Sequence, residues 1–381
     1  MARTRESDSF APVPIGSSRR TSQVLVAGRG LIGLSCAIAA AERGFTVRVI
    51  AEPRVGEASL AAAGLLASSI EREEGHSRDF AVAARDRYPD YVTWLHERTG
   101  HLVPLNRDGI IQVALSEAGA RGLRRSMGDE AQWLDARQLV ELEPALDHAL
   151  GGVIHLHDGW VDNVALHRAL SAFARAHERI TFVEDAITRV AFAASVTATC
   201  RSGSAYEAQR MVLAAGAWSS MIEGLPRSIP VEPVRGQMIS YSDSPLKRAV
   251  YGPTGYVVPR TDGRTLIGAT SERAGFKSVT TEEGISRLQR TAAEVLPRLA
   301  AVEPAAKWAG LRPMSADLQP ILGPDPEEPR LLYATGHSRN GVLMTPLTGD
   351  CIAALLVGES PPIDIGGFSI ARFSTQPATM R

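Results

Sequence analysis

The chain has little that would tie it to an oxidising compartment or to a charged partner. It has three cysteines and no Cys-x-x-Cys pair, so neither a disulfide framework nor a thiolate metal site is indicated. Its 41 basic and 42 acidic residues nearly cancel, which removes the electrostatic attraction that nucleic acid or anionic lipid requires. No apolar run approaches the ~20 residues that span a bilayer. The sequence therefore predicts a cytoplasmic protein with no nucleic-acid or membrane partner.

The histidines do not indicate a metal site, and the N-terminus does not indicate an export signal. His155 and His157 would share one face of a strand, but no third ligand is near, so a structural role is favoured over a metal site. Residues 1–22 are rich in Ser, Arg and Pro and are predicted to be a disordered leader. A twin-arginine export signal, suggested by Arg19 and Arg20, is rejected because cleavage after it would remove the first strand of the fold.

A glycine loop near the N-terminus is the first motif with a chemical meaning. Residues 24–27 form an apolar run of strand length, and Gly28-Arg29-Gly30-Leu31-Ile32-Gly33 follows directly. An Ala-rich helical stretch over residues 34–43 and a β-branched strand over residues 46–50 complete a strand, helix, strand unit. The first glycine allows the tight turn, the second lets backbone approach a pyrophosphate, and the third lets helix pack on strand. The unit predicts a dinucleotide site.

An acidic residue at the expected distance narrows the choice of dinucleotide. Glu52 lies about 20 residues beyond the loop, where a carboxylate accepts hydrogen bonds from a ribose and disfavours a 2′-phosphate. NADP is therefore disfavoured. The small residues of 59–66 fit either a backbone lying close to a bulky planar ligand or an Ala-rich packing helix, so FAD and NAD both stay open at this point.

The rest of the chain contains predicted helices and a region of predicted antiparallel strands. Residues 80–99 have helical spacing with Pro89 as a kink, and residues 163–177 and 281–296 are also predicted helices. Between residues 231 and 270 the pattern becomes antiparallel, with a hairpin turned by Asp262-Gly263.

The most specific motifs come late. They are Gly255-Tyr256-Val257-Val258-Pro259-Arg260, Leu266-Ile267-Gly268-Ala269-Thr270, Lys307-Trp308-Ala309-Gly310-Leu311-Arg312-Pro313 and Ala334-Thr335-Gly336-His337-Ser338-Arg339-Asn340-Gly341. With the glycine loop, they resemble the D-amino acid oxidase superfamily of FAD enzymes, most of all its glycine oxidase branch, which is linked to thiamine biosynthesis. The resemblance covers residues 23–358.

The resemblance implies an α/β fold in which a Rossmann-like FAD-binding domain is interleaved with an antiparallel-sheet substrate domain. The FAD-binding domain would comprise residues 23–90, 148–225 and 305–366. The substrate-binding domain would comprise residues 91–147 and 226–304, with residues 367–381 as a C-terminal tail. The FAD is expected to be noncovalent, because Met314 and Ser315, rather than a cysteine, follow the Arg-Pro pair.

The resemblance also assigns site residues. Arg312 would hold the substrate carboxylate with its planar fork, Tyr256 would add its hydroxyl, and Arg339 would face the substrate. The backbone of residues 339–343 would stabilise negative charge on the reduced flavin. The residues implied in cofactor binding are Gly28, Gly30, Leu31, Ile32, Gly33, Glu52, Ala62, Ala63, Gly64, Leu65, Ile187, Ala215, Gly216, Trp218, Gly310, Arg312, His337, Arg339, Asn340, Gly341, Val342 and Leu343.

The implied reaction is oxidation of glycine or a small amino acid. Hydride would pass from the α-carbon to flavin N5, and dioxygen would then take the electrons as hydrogen peroxide. The imine would hydrolyse to a 2-oxo acid and ammonia or enter thiazole assembly. The alternative is another D-amino acid or secondary-amine oxidase or dehydrogenase of the superfamily. Ser271 and Thr254 depart from the glycine oxidase pattern and predict a roomier or more polar pocket. A homo-oligomer is left open.

Overall fold

The computed structural model describes residues 21–70 and 75–373. Residues 1–20 of the predicted leader lie outside this part of the chain, whereas residues 21 and 22 belong to the first strand and not to a disordered segment. The predicted C-terminal tail is described to residue 373. There it forms two short 3-10 turns, Gly366–Phe368 and Ile370–Phe373, with the side chains of Phe368 and Ile370 buried.

Nineteen strands are found in the described residues. They are β1 (Thr21–Ala27), β2 (Val47–Ile50), β3 (Leu65–Leu66), β4 (Leu105–Asn106), β5 (Ile110–Ala114), β6 (Ala131–Asp135), β7 (Gly151–His155), β8 (Gly159–Val161), β9 (Ile180–Val183), β10 (Ile187–Phe192), β11 (Val196–Cys200), β12 (Ala205–Leu213), β13 (Val231–Tyr241), β14 (Ala249–Tyr251), β15 (Tyr256–Pro259), β16 (Thr265–Gly268), β17 (Ala306–Ser315), β18 (Ile321–Pro324) and β19 (Leu331–Thr335).

Nine α-helices accompany these strands in the same part of the chain. They are α1 (Leu31–Glu42), α2 (Ala58–Ala61), α3 (His76–Asp86), α4 (Tyr88–Thr99), α5 (Glu117–Arg125), α6 (Ala136–Leu142), α7 (Asn163–Ala176), α8 (Glu282–Val295) and α9 (Thr345–Val357). The helix predicted over residues 80–99 is in fact two, which meet at Arg87. Pro89 lies in the first turn of α4, where its missing N–H costs no hydrogen bond.

The first sheet contains the strand that leads into the glycine loop. Its central strands are ordered β12-β1-β2-β9 and run parallel, and β19 adds a further parallel strand beside β12. Helices α1, α7 and α9 pack on one face and share a core with α3 and α4. The chain crosses from β1 through α1 to β2, which is the βαβ unit that the glycine loop predicted.

The second sheet is largely antiparallel. Its order is β17-β13-β16-β15-β14-β5-β7-β6, and one pair, β14 with β5, is parallel. The predicted hairpin is present, with β15 and β16 joined through Asp262-Gly263. Strands β7 and β17 belong to this sheet, although the predicted boundaries place residues 148–225 and 305–366 with the FAD-binding domain. The mixed α/β fold class is confirmed, and the division of roles between the segments stays a prediction.

Candidate functional site

A large cleft lies between the two sheets. Its floor is formed where the parallel strands of the first sheet end, at Ala27, Ile50 and Ala214. Its other wall comes from the second sheet and includes Met238, Tyr256 and Arg312. The carboxyl edge of parallel strands is where doubly wound sheets bind ligands. The cleft therefore joins a nucleotide-binding edge to an antiparallel wall.

Most of the predicted site residues line this cleft. They are Gly28, Gly30, Leu31, Ile32, Glu52, Ala62, Ala63, Gly64, Leu65, Ile187, Ala215, Gly216, Trp218, Tyr256, Gly310, Arg312, His337, Arg339, Asn340, Gly341 and Val342. Gly33 and Leu343 do not line it. Leu343 is buried in the hydrophobic core, and Gly33 lies where α1 packs against the backbone of Gly28. The roles of the lining residues stay predictions.

The glycine loop shows why two of its positions lack a side chain. Gly28 has φ of 115°, and a Cβ there would lie 2.3 Å from the carbonyl oxygen of Ala214. A Cβ on Gly33 would lie 2.2 Å from the carbonyl oxygen of Gly28, so α1 packs directly on the strand. The N-terminus of α1 is thereby held at the cleft, where its unpaired N–H groups favour an anion.

Ser59 was not predicted as a site residue. Its hydroxyl lies at the cleft and accepts a hydrogen bond from the backbone N–H of Leu31 at 3.0 Å. The contact joins the glycine loop to residues 59–64, which we call the cofactor-facing segment. The sequence signal was only a serine before an alanine run, and its partner lies 28 positions away along the chain.

Glu52 lies at the far end of the cleft between two arginines. It forms ion pairs with Arg54 at 3.0 Å and with Arg201 at 2.9 Å. The guanidinium of Arg54 also lies over the ring of Trp218, with 5.1 Å between Cζ and the ring centroid. Both arginines line the cleft and were missed because nothing in their local sequence marks them. Together they hold the carboxylate that is predicted to bind a ribose.

Replacing Glu52 by glutamine should weaken the binding of the nucleotide cofactor. A neutral amide accepts a weaker hydrogen bond from a ribose hydroxyl than a carboxylate does, and the two arginines would lose their counter-charge. We expect the dissociation constant of FAD to rise about tenfold or more. Titration of flavin fluorescence measures it, with the exposed Glu141→Gln as the control. An unchanged dissociation constant would remove Glu52 from the binding site.

The turn of residues 336–343 forms the part of the cleft that leads into α9. Gly336 and Ser338 have φ of 67° and 52°, and the hydroxyl of Tyr88 donates to the carbonyl oxygen of Val342. In the described part of the chain, nothing accepts a hydrogen bond from the backbone N–H groups of Gly341 and Val342. Two such N–H groups at a cleft suit a ligand atom that carries negative charge.

His337 is buried beneath this turn. Its Nε2 lies 3.1 Å from the hydroxyl oxygen of Thr348, and burial lowers its pKa to about 3, from an ordinary value of 6.5. The imidazole is therefore neutral at physiological pH. It can position the turn but cannot contribute a positive charge to the cleft.

The buried His337 should make the protein sensitive to acid. Below pH 6.5 the unfolded chain binds a proton at this residue, whereas the folded chain binds none until about pH 3. The free energy of unfolding therefore decreases as the pH is lowered from 6.5 to 3. By pH 5 the loss should be about 2 kcal/mol relative to pH 7. His337→Gln should remove that part of the difference in denaturant unfolding, whereas His157→Gln, at an exposed position, should not. Equal pH sensitivity in the parent and His337→Gln would contradict the assignment.

Arg312 lies in the wall of the cleft that the second sheet forms, and no ion pair of the described residues neutralises its charge. Its Nη1 donates to the carbonyl oxygen of Thr270 at 3.0 Å, and no carboxylate of the described residues pairs with it. A Cβ on Gly236 would lie 2.4 Å from Nη1 and 2.5 Å from Cζ, so the guanidinium rests against the backbone of that glycine. Gly236 was not predicted as a site residue. The arrangement leaves a guanidinium edge available to a ligand carboxylate.

Two aromatic rings and a sulfur belong to the same wall of the cleft as Arg312. The rings of Tyr251 and Tyr256 lie 5.6 Å apart, and the hydroxyl of Tyr256 lies 3.6 Å from the sulfur of Met238. Ser271 lines the cleft, as a more polar pocket requires. Thr254 points elsewhere, because its hydroxyl bonds to Thr291 and Glu294 of α8.

The nucleotide edge, the unpaired N–H groups of the 336–343 turn and the long cleft suit a flavin dinucleotide. A family model for the FAD-dependent oxidoreductases of the D-amino acid oxidase type matches residues 23–355. The chain belongs to this FAD-dependent oxidoreductase family. The predicted family and the predicted FAD cofactor are thus confirmed. That the FAD is noncovalent stays a prediction.

Relatives of this oxidoreductase fall into two lengths. A bifunctional ThiO/ThiG protein from Synechocystis is 34% identical over 370 residues, which are 93% of this chain but 54% of that relative. The chain thus spans about half of the bifunctional relative. A glycine oxidase from Geobacillus kaustophilus is 31% identical, over 92% of this chain and 96% of its own. The crystal structure of glycine oxidase from Geobacillus kaustophilus aligns with a TM-score of 0.86 and 30% identity, over 93% of this chain and 99% of that one.

Membrane-spanning helices, metal sites and cysteines bear on the environment of this oxidoreductase. Over residues 21–70 and 75–373, no helix is long and apolar enough to cross a membrane, and no His, Cys, Asp and Glu side chains group as a metal site would require. Cys36, Cys200 and Cys351 are buried and unpaired, and burial raises the pKa of each thiol.

Proposed function

We propose that this chain oxidises glycine or another small amino acid at the α-carbon. The observation that carries the proposal is Arg312, a cleft guanidinium that no described carboxylate neutralises. Such a group attracts the one feature that all amino-acid substrates share, their carboxylate. The glycine oxidases among the relatives support the same substrate class.

The residues of the cleft bind and orient the substrate, and the cofactor accepts its electrons. Arg312 binds the substrate carboxylate by two parallel hydrogen bonds, and Tyr256 adds its hydroxyl to fix the orientation. Arg339, in the 336–343 turn, also lines the cleft and is assigned to face the substrate. None of these groups is a general base, so the substrate amine has to be neutral before reaction. Bound FAD supplies the two-electron acceptor, from which dioxygen takes the electrons as hydrogen peroxide.

The substrate pocket has limited room but is not sealed. Met238, Tyr251 and Tyr256 line one side, whereas Ser271 and Met314 line both the cleft and a second cavity beside it. We therefore favour glycine and N-methylated or short-chain amino acids over bulky ones. The product imine would hydrolyse to a 2-oxo acid and ammonia or enter thiazole assembly. A cytoplasmic location and a homo-oligomeric state belong to the same proposal.

A coupled peroxide assay tests this proposal. Glycine, sarcosine and a panel of D-amino acids are each offered to the purified holoprotein in air. We expect peroxide with glycine or sarcosine, and less as the side chain grows. Flavin reduction without peroxide would make the protein a dehydrogenase. No reduction by any member of the panel would overturn the proposal.

A further inference from the structure

A buried arginine of the β15–β16 hairpin, Arg260, does not line the cleft. Arg260 is 5% exposed and donates to three oxygens: the carbonyl of Val161 at 3.1 Å, the carbonyl of Ala63 at 3.1 Å and Oδ1 of Asn163 at 2.8 Å. In the described chain no carboxylate pairs with it. Burial lowers its pKa from the ordinary arginine value. A buried cation without an acid is costly, so these three acceptors have to hold it firmly.

The contacts of Arg260 continue to the cofactor-facing segment. Asn163 is fully buried, and its Nδ2 donates to the carbonyl oxygen of Ser59 at 2.8 Å. Ser59 in turn accepts the N–H of Leu31 in the glycine loop. Arg260 therefore holds the segment at both ends, at Ala63 directly and at Ser59 through Asn163.

The segment has little structure of its own to keep it in place. Residues 58–61 form a single helical turn, and Ala62 to Gly64 are irregular. Ala62, Ala63 and Gly64 line the cleft, and their small side chains contribute little packing area. Hydrogen bonds from other parts of the chain to this backbone, including those of Arg260, therefore help to fix the position of this wall of the cleft.

Tyr256 lies at the start of β15, and Arg260 follows directly after that strand. One short strand thus carries both a predicted substrate contact and the anchor of the cofactor-facing segment. We propose that Arg260 is a positioning residue, which with Asn163 sets the cofactor-facing segment from the substrate hairpin and so determines how tightly FAD is held. The role concerns cofactor binding and does not depend on which amino acid is oxidised.

Asn163→Asp separates this role from a purely structural one. The aspartate keeps an acceptor for Arg260 and supplies its missing counter-charge, but it has no N–H for the carbonyl of Ser59. We expect FAD to dissociate about tenfold more readily, measured by the fluorescence of flavin released on dilution of the holoprotein. The melting temperature of the FAD-free variant should not fall. An unchanged FAD dissociation constant in this variant would overturn the proposal.

Two arginine variants of the same hairpin complete the test. Arg260→Lys keeps the charge but donates from one nitrogen in place of the two guanidinium nitrogens that now reach the three acceptors, so FAD should again dissociate about tenfold more readily. Arg264→Lys is the matched control, because Arg264 bonds to Asp262 in the exposed turn and should leave FAD binding unchanged. If Arg264→Lys weakened FAD binding as much as Arg260→Lys, a general effect on the hairpin would replace the positioning role.

Discussion

Replacing Arg312 by alanine should raise the KM for glycine by at least about 100-fold while FAD stays bound. The expected size follows from removing the charged partner of a largely buried carboxylate, which costs about 3–5 kcal/mol. Steady-state kinetics on the purified variant measures it, and the visible flavin spectrum reports that the cofactor is present. Arg312→Lys should lie between the parent and alanine, because a lysine keeps the charge and loses the fork.

The control for this prediction is an arginine at the rim. Arg273 is paired with Glu232 at 3.1 Å and its side chain is 83% exposed, so Arg273→Ala changes the local charge without touching the proposed carboxylate site. Its KM should stay within about twofold of the parent, since an exposed pair contributes little. If Arg312→Ala bound and oxidised glycine as well as the parent, the substrate site would lie elsewhere.

Replacing Gly236 by alanine should raise the KM for glycine by about tenfold with little change in kcat. The new methyl group would occupy the space in which the Arg312 guanidinium now rests, 2.4 Å from Nη1, so the guanidinium has to move. Because that guanidinium is the end of a long side chain, the strand can stay in place. The FAD dissociation constant should be unchanged.

A double variant shows whether Gly236 acts through Arg312. In the Arg312→Lys background the planar group is gone, so adding Gly236→Ala should have almost no further effect on KM. Gly122→Ala, at an α5 position where a Cβ meets no heavy atom within 4 Å, controls for loss of a glycine. Additive effects of Gly236→Ala and Arg312→Lys would show that the glycine matters for another reason.

The nucleotide half of the site could be predicted from sequence because its geometry is local. The positions of Gly28, Gly33 and Glu52 are fixed by one turn, one helix and one strand that follow each other along the chain. The 336–343 turn was likewise found as a turn before a helix, and α9 begins at Thr345. Leu343 was predicted to face the flavin with its backbone, and its side chain packs in the hydrophobic core, so its part in cofactor binding stays a prediction.

The missed residues depend on contacts between distant parts of the chain. Gly236 meets Arg312 only through the register of β13 with β17, in which Val234 pairs with Arg312. Ser59 and Arg260 reach the glycine loop and the cofactor-facing segment across 28 and 197 positions. A glycine in a strand has no distinctive local pattern, and the motif that ends at Arg260 does not show what the arginine contacts, so these roles become visible only when the sheets are assembled.

The most direct test of the proposed amino-acid oxidation is anaerobic reduction of the flavin by substrate. The holoprotein is mixed with glycine or sarcosine in the absence of dioxygen, and the visible absorption of the oxidised flavin is followed. Full bleaching in the parent, much slower bleaching in Arg312→Ala at the same substrate concentration, and peroxide on readmission of air are the results that we predict. An absorption spectrum that neither glycine, sarcosine nor any D-amino acid changes would contradict the proposed oxidation of a small amino acid.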